Sequence, residues 1–290
     1  MVQRRLPYVV VGGTFDGLHA GHRRLLEESF RHAERVGVGL TTDRLAGSNP
    51  GKGSGIGSYA LRRRRLERYL VRTHPGRNWH VVPLDTPWGS IREPNVRALT
   101  VSEETFPVAL KADRWRRRLG LAPLTLLLVR TLYGDDLLPI ASRRIRAGLI
   151  DGDGQRRRPL GVRFRGATTF RQRDILRSAL EDILPFVRLD PRRSPPEYEV
   201  ELGLTPSGCQ LTVRDSLGGT LAAAIGSAKV STSGLMLDVI VPQLVYEAFL
   251  PRWLARERVI PPSVMLPPGS APPLRRHEWA KRVVSVGPPG

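Results

Sequence analysis

The sequence predicts an α/β chain: a domain with a parallel sheet and crossover helices, followed by a second, smaller α/β domain. Three observations carry this reading. Short β-branched apolar stretches alternate with helix-periodic ones through the first 150 residues, and glycine-rich turns lie between them. After a polar, turn-forming stretch at 151–159, Asp-Gly-Asp-Gly-Gln-Arg-Arg-Arg-Pro, the alternation begins again.

Tyr8 to Val11 reads as a short buried strand. Leu25, Leu26, Phe30 and Ala33 then fall close to helical spacing, marking one apolar face of a helix that runs to about Arg35. Val36 to Thr41 is the second strand, and a Gly/Ser-rich loop at 47–58 leads into an Arg-rich helix from Tyr59 to Arg72. Strands follow near Trp79–Leu84, Val96–Val101 and Leu124–Leu132, then a helix over Ser142–Leu149. The expected boundaries are therefore a first domain at 1–150, a linker at 151–159, a second domain at 160–260 and a Pro-rich strap or tail at 261–290. Within the second domain we expect a strand at Leu160–Phe164 and an amphipathic helix at Arg171–Leu184. Strands at 197–204, 209–214 and 220–225 and a helix at 242–256 complete it.

Composition narrows the function. The longest uncharged apolar runs fall far short of the ~20 residues of a membrane helix, so no membrane partner is expected. The basic start lacks the apolar core of an export signal, and one cysteine, Cys209, can form neither an internal disulfide nor a multi-cysteine metal site. A cytoplasmic enzyme fits. The formal net charge is +19, and lysine occurs only at 52, 111, 229 and 281, leaving 42 arginines. A surface this basic favours anionic partners, either phosphorylated metabolites or nucleic acid, but the reading preferred for the arginine runs at 62–65, 116–118 and 156–158 is that they are solvated faces.

The most informative stretch is Val9-Val-Val-Gly-Gly-Thr-Phe-Asp-Gly-Leu-His-Ala-Gly-His22. A buried strand ends at Gly12-Gly13, where the backbone can approach a ligand. His19 and His22 follow, three apart, on the opening turn of a helix. Unpaired N–H groups and the positive end of the helix dipole meet there, which favours a phosphate. No H-E-x-x-H carboxylate pattern accompanies the histidines, Gly51-Lys52-Gly53 does not make a P-loop, and Gly12-Gly13-Thr14 does not make the dinucleotide fingerprint.

Gly-Thr-Phe followed by His-x-Gly-His resembles the nucleotidyltransferase superfamily. Within it the stretch Pro7–Asp151 is similar to the archaeal and eukaryotic type of phosphopantetheine adenylyltransferase. Further matching blocks are Gly39-Leu-Thr-Thr-Asp43, the Tyr59–Leu70 helix with Arg62, Val81-Val-Pro-Leu-Asp85, Val101-Ser-Glu-Glu-Thr105 and Pro139-Ile-Ala-Ser-Arg-Arg-Ile-Arg146. The first block is shared with cytidylyltransferases and flavin adenylyltransferases; the Ser-Glu-Glu-Thr and Ile-Ala-Ser-Arg blocks argue for the pantetheine branch.

The resemblance implies a Rossmann-like nucleotidyltransferase domain that moves AMP from ATP to 4'-phosphopantetheine, giving dephospho-coenzyme A and pyrophosphate, with Mg2+ accompanying ATP and no protein metal ligand assigned. It further implies that Gly13, Thr14 and Phe15 hold the acceptor phosphate together with Arg62. His19 and His22 would contact the triphosphate, with His22 at the transferring α-phosphate. Lys52 would reach the phosphates and Glu103 would serve the adenine side, while Ser142 begins a helix with Arg144 and Arg146 behind it, which makes a second phosphate site with cationic support. Where relatives usually read Ile-Ser-Ser-Thr, this chain has Ala141 and Arg143, which either compensates with charge or weakens ATP binding.

The second half, from Gly161-Val-Arg-Phe-Arg-Gly-Ala-Thr-Thr-Phe-Arg onward, faintly resembles the inosine/xanthosine triphosphatase family, but the expected Asn-Pro-x-Lys turn reads Thr-Phe-Arg-Gln and an acidic helix is missing. The expectation is a degenerate, noncatalytic domain, with a working NTP phosphatase as its alternative. RNA binding through arginine is retained as a secondary activity, since no RNP, KH or zinc-knuckle signature appears.

Overall fold

The computed structural model describes residues 5–48, 55–165, 169–205, 208–226, 237–257 and 263–268. They divide into two compact units, one within Met1–Leu132, Ile140–Ala147 and Ile260–Gly290, the other within Tyr133–Pro139 and Gly148–Val259.

The first unit is an α/β unit built on one six-stranded sheet. Its strands are β1 (Leu6–Gly13), β2 (Ala33–Thr41), β3 (Asn78–Leu84), β4 (Ala98–Ser102), β5 (Thr125–Val129) and, far along the chain, β11 (Ser263–Leu266), in the order β11-β5-β4-β1-β2-β3. β1 to β5 are mutually parallel and β11 is antiparallel to β5. Helix α1 (Ala20–His32) connects β1 to β2, and α2 (Asp43–Gly47) and α3 (Tyr59–Thr73) lead from β2 to β3. Val9 and Val11 of β1 pack with Leu26 and Phe30 of α1 and Leu66 and Leu70 of α3 on one face. On the other, Tyr8 and Val10 pack with Phe106 and Ala109.

Those last two residues belong to α4 (Phe106–Arg118), a helix the sequence reading did not include. Its signal is present: Pro107 lies in the first turn, and Phe106, Ala109, Ala112, Asp113 and Arg116 form one buried stripe. Polar members of the stripe mask it. Arg116, wholly buried, donates to the carbonyls of Ile91, Glu93, Val96 and Ala122, and the Asp113 carboxylate accepts from Leu124 N at 2.7 Å. The helix after β5 is also shorter than expected, spanning only Ser142–Arg146 as α5.

The second unit carries a five-stranded sheet of β6 (Leu160–Arg165), β7 (Leu189–Asp190), β8 (Tyr198–Thr205), β9 (Gly208–Asp215) and β10 (Thr220–Gly226), in the order β10-β9-β8-β6-β7. Helices α6 (Phe170–Ile183) and α7 (Leu237–Arg256) pack on one face through Leu176, Leu180, Leu244, Val245 and Phe249. Thr169 and Gln172 close a reciprocal capping box at the start of α6. Asp151–Pro159, read from the sequence as a linker, packs within this unit. Arg157 N donates to Leu149 O, and the buried Arg156 forms ion pairs with Asp136 and Glu197.

Ser263–Leu266 lies inside the stretch read as a Pro-rich strap, yet it forms a strand. It precedes Pro267-Pro268 and so escapes the proline constraint. Its hydroxyl at Ser263 donates to Oε2 of Glu28 at 2.7 Å. Glu28 is a fully buried carboxylate of α1, with Arg24, Arg31 and His32 at 3.6–3.7 Å. Ser263→Ala leaves that oxygen without its hydroxyl donor, so we predict a loss of about 1–3 kcal/mol in a urea melt. An unchanged midpoint would show that the Ser263–Glu28 hydrogen bond does not contribute to the first unit's stability.

Candidate active site

In a parallel sheet, loops that leave the C-terminal strand ends form the binding crevice. The first unit places Gly13, Thr41, Ser102 and Val129 at those ends, and the loop after β1 is the most constrained. Phe15, Gly17 and Leu18 have φ of 47°, 76° and 41°, all in the left-handed region, which is costly for the two residues that are not glycine. Side chains and backbone from elsewhere in the chain hold this turn. Ser142 Oγ donates to Asp16 O at 2.7 Å, Gly57 N donates to Asp16 Oδ1 at 3.3 Å, Arg146 forms an ion pair with Asp16 Oδ2, and Arg23 donates to Leu18 O at 3.0 Å. Gly13 has its own reason to be glycine. A Cβ there would stand 3.1–3.4 Å from the Phe15 ring, which folds back beneath the turn and is buried.

The turn delivers His19 to the N-cap of α1, and no side chain caps that end. No acidic residue occupies the first turn, so no carboxylate of the helix itself offsets the positive dipole end. The His19 and His22 rings stack with centroids 3.8 Å apart, and Phe15 contacts His22 at 5.3 Å. Gly21 makes this possible, because a Cβ there would meet the His19 ring at 3.1–3.2 Å. Thr14, at the start of the same turn, is 7% exposed. His19 is equally buried, and its Nδ1 has no hydrogen-bond partner among the described residues. Burial, with Arg23 reinforcing and Asp16 opposing, lowers its pKa to about 4, so the ring is neutral at pH 7.

Arg62 is 1% exposed, and its guanidinium is directed at the protein. It donates to Gly57 O at 2.7 Å, Thr14 O at 3.0 Å and Thr41 O at 2.8 Å, and pairs with Asp43 at 2.9 Å. This geometry makes Arg62 a brace joining the ends of β1 and β2 to the start of α3. Ser58 caps that helix through Leu61 N at 3.4 Å.

The remaining expected site residues divide. Glu103 accepts from Thr131 N at 3.2 Å and Thr131 Oγ1 at 2.6 Å, fastening the loop after β4 to the chain leaving β5. Ser142 spends its hydroxyl on the turn, as above, and Arg144 of α5 is buried. Lys52 lies outside the described residues. The structure thus gathers Thr14, Phe15, His19, His22, Arg62 and Ser142 about one turn, together with Arg146, expected to support a phosphate but spent on Asp16, and with Asp16 itself, which the sequence does not single out. The signal for Asp16 lies in its motif, as the Asp after Gly-Thr-Phe.

The second unit holds a separate buried ionic network. Arg156 joins Asp136 and Glu197, while Arg252 pairs with Asp215 and donates to Leu137 O and to the Tyr198 hydroxyl. Backbone N–H groups also donate to these carboxylates: Leu138 to Asp136 Oδ1, Leu217 and Gly219 to Asp215 Oδ1, and Gly161 to Glu197 Oε2, an oxygen it shares with Arg156. Among the described residues, no group of three His, Cys, Asp or Glu side chains is placed to hold a metal ion.

His19 gives the first unit a pH signature. Its folded pKa lies below the unfolded value near 6.5, so its contribution is intact above pH 6.5 and is lost as pH falls toward about 4. Over that window we predict that the native protein loses about 3 kcal/mol more stability than His19→Gln. Parallel stability curves in chemical denaturation would rule out a buried neutral imidazole.

Residues 10–148 match the Cytidylyltransferase-like family. The chain is 40% identical over 167 residues to a phosphopantetheine adenylyltransferase of Methanothermobacter thermautotrophicus, covering 57% of this chain and 96% of that protein. It is 39% identical over 153 residues to the enzyme of the same name from Methanosarcina mazei, covering 52% and 97%. A bifunctional phosphopantetheine adenylyltransferase/NTP phosphatase of Thermoplasma volcanium is 36% identical over 154 residues, covering 53% of this chain and 46% of that one. The strained Gly-Thr-Phe-Asp turn, the stacked histidines after it and these identities agree: the chain belongs to the phosphopantetheine adenylyltransferase family.

Proposed function

We propose that the first unit transfers AMP from ATP to 4'-phosphopantetheine, forming dephospho-coenzyme A and pyrophosphate, in the cytoplasm. The observation that carries the reading is the stacked His19–His22 pair at the uncapped start of α1, beside Thr14 at the end of β1. A phosphate oxygen of the acceptor attacks the α-phosphorus of ATP in line. The bond from that phosphorus to the bridging oxygen breaks, and pyrophosphate leaves with the electron pair. No enzyme nucleophile is required, so the protein's work is positioning and neutralising charge on the phosphoryl oxygens.

In this reading the N–H groups of Gly13 and Thr14 and the Thr14 hydroxyl receive the acceptor phosphate, and Phe15 fixes the shape of the turn beneath it. His22 donates to the α-phosphate as charge develops. His19, held neutral by burial, donates one N–H to the triphosphate without adding charge. Arg62 acts through the backbone it braces and so positions Thr14. Glu103 and Thr131 shape the adenine side, and Ser142 and Arg144 support the pyrophosphate end from α5. Lys52, on its glycine loop, serves the same phosphates. Asp16 is tied to Gly57 N and Arg146, so magnesium, which screens the triphosphate when bound, would be held by phosphate oxygens and water. In the second unit, the engagement of Asp136, Glu197 and Asp215 by buried arginines and backbone N–H groups favours a noncatalytic role over NTP hydrolysis.

The deciding experiment is pyrophosphate release by the full chain with ATP and 4'-phosphopantetheine, beside CTP, flavin mononucleotide and inosine triphosphate controls. Release confined to the first pair is expected, and turnover with CTP or flavin mononucleotide instead would replace the assignment. His22→Ala should lower kcat roughly a hundredfold if its donor meets the developing charge. A variant with near-native kcat removes that role from His22.

A further inference from the structure

The outward face of α3 carries Arg63, Arg64, Arg65, Arg68 and Arg72, all exposed, with Val71 at 63% exposure among them. Arg63 is neutralised by Glu67 at 2.8 Å, and the nearby acidic group of α1, Glu27, pairs with Arg24. Among the described residues the other four arginines make no ion pair. Exposed arginines elsewhere commonly do: Arg163 and Arg165 with Glu199, Arg171 with Asp238 and Arg214 with Glu201. Arg64, Arg68 and Arg72 stand at i, i+4 and i+8, and Arg65 is three residues before Arg68, so like charges face each other along one stripe. That arrangement opposes helix formation. The helix is held from its other side, by Leu66, Leu70 and the Arg62 brace.

From this uncompensated stripe we infer that the outer face of α3 is a docking surface for the phosphate backbone of nucleic acid, bound without sequence preference. Charge complementarity selects the partner. Three arginines about 6 Å apart along the axis, with a fourth beside them, span about 12 Å, the dimension of a polyanion with repeating phosphates. A convex helix face offers no enclosure for a small phosphorylated metabolite. An anionic membrane would attract the same charges, but Val71 is the one large apolar side chain exposed on this face among the described residues, so the insertion that strengthens an interfacial helix is missing. Guanidinium forks match phosphate oxygens in pairs, which a row of lysines would not do. The inference is independent of the adenylyl-transfer reading, because none of the four residues belongs to the site after β1.

The test is fluorescence anisotropy with a labelled RNA duplex of about 20 base pairs, titrated with the full chain at several salt concentrations. The variant R64Q/R65Q/R68Q/R72Q keeps helix-forming side chains on an exposed face. The control R163Q/R165Q/R171Q/R214Q removes the same charge from the second unit. We expect at least a tenfold rise in Kd for the α3 variant, and a salt slope reduced by roughly three to four, with less than a twofold rise for the control. The far-UV circular dichroism and urea midpoint of the α3 variant should match those of the native chain, which reports that it has folded. Equal losses in both variants would reduce the effect to net charge and overturn the docking surface. No measurable binding by the native chain at about 50 mM salt, or tighter α3-dependent binding to phosphatidylserine vesicles than to RNA, would also overturn it.

Discussion

The first unit depends on how a single guanidinium satisfies backbone carbonyls. Strand ends in a parallel sheet leave acceptors that no neighbouring strand completes, and a crevice meant for an anion cannot satisfy them with water alone. Arg62 collects carbonyls of Thr14, Thr41 and Gly57 into one rigid fork. It thereby fixes the distance between the turn after β1 and the start of α3. Lysine, with one compact ammonium group, could not reproduce the fork.

The same device recurs. Arg116 gathers the carbonyls around the loop before β4, Arg77 takes those of Phe30 and Ala33, and Arg156 and Arg252 knit the second unit. An arginine-rich composition therefore has two physical components here. One part is internal scaffolding, where each buried charge is offset by several acceptors; the other is surface charge, sometimes paired and sometimes not. Counting arginines cannot separate them, because Arg62 and Arg64 are two residues apart and have opposite fates.

Much of the sheet was legible because its signals are local. Tyr8–Val11, Val36–Thr41 and Tyr59–Arg72 fall within the observed β1, β2 and α3, and the helix with the two histidines starts where the glycines and its apolar spacing place it. α4 was missed because its buried stripe includes Asp113 and Arg116, whose partners are backbone groups several turns away in sequence. β11 was missed because four residues before a proline pair carry no periodicity of their own, and only the open edge of β5 makes them a strand. In the site, the motifs named the turn and the histidines. The clamp of Asp16 by Arg146 joins positions 130 residues apart, so no local pattern could announce it.

The edge strand β11 also sets the order in which the chain can finish folding. Its partner β5 ends at Val129, whereas Ser263 is synthesised long after it. At typical elongation rates of about 5–20 residues per second, about 7–27 seconds pass in which the sheet has an unpaired edge and Glu28 lacks its hydroxyl donor. Throughout that interval the second unit is being made and can begin to fold. The nascent first unit therefore spends its most adhesive period on the ribosome, with an apolar strand edge available to any neighbouring chain.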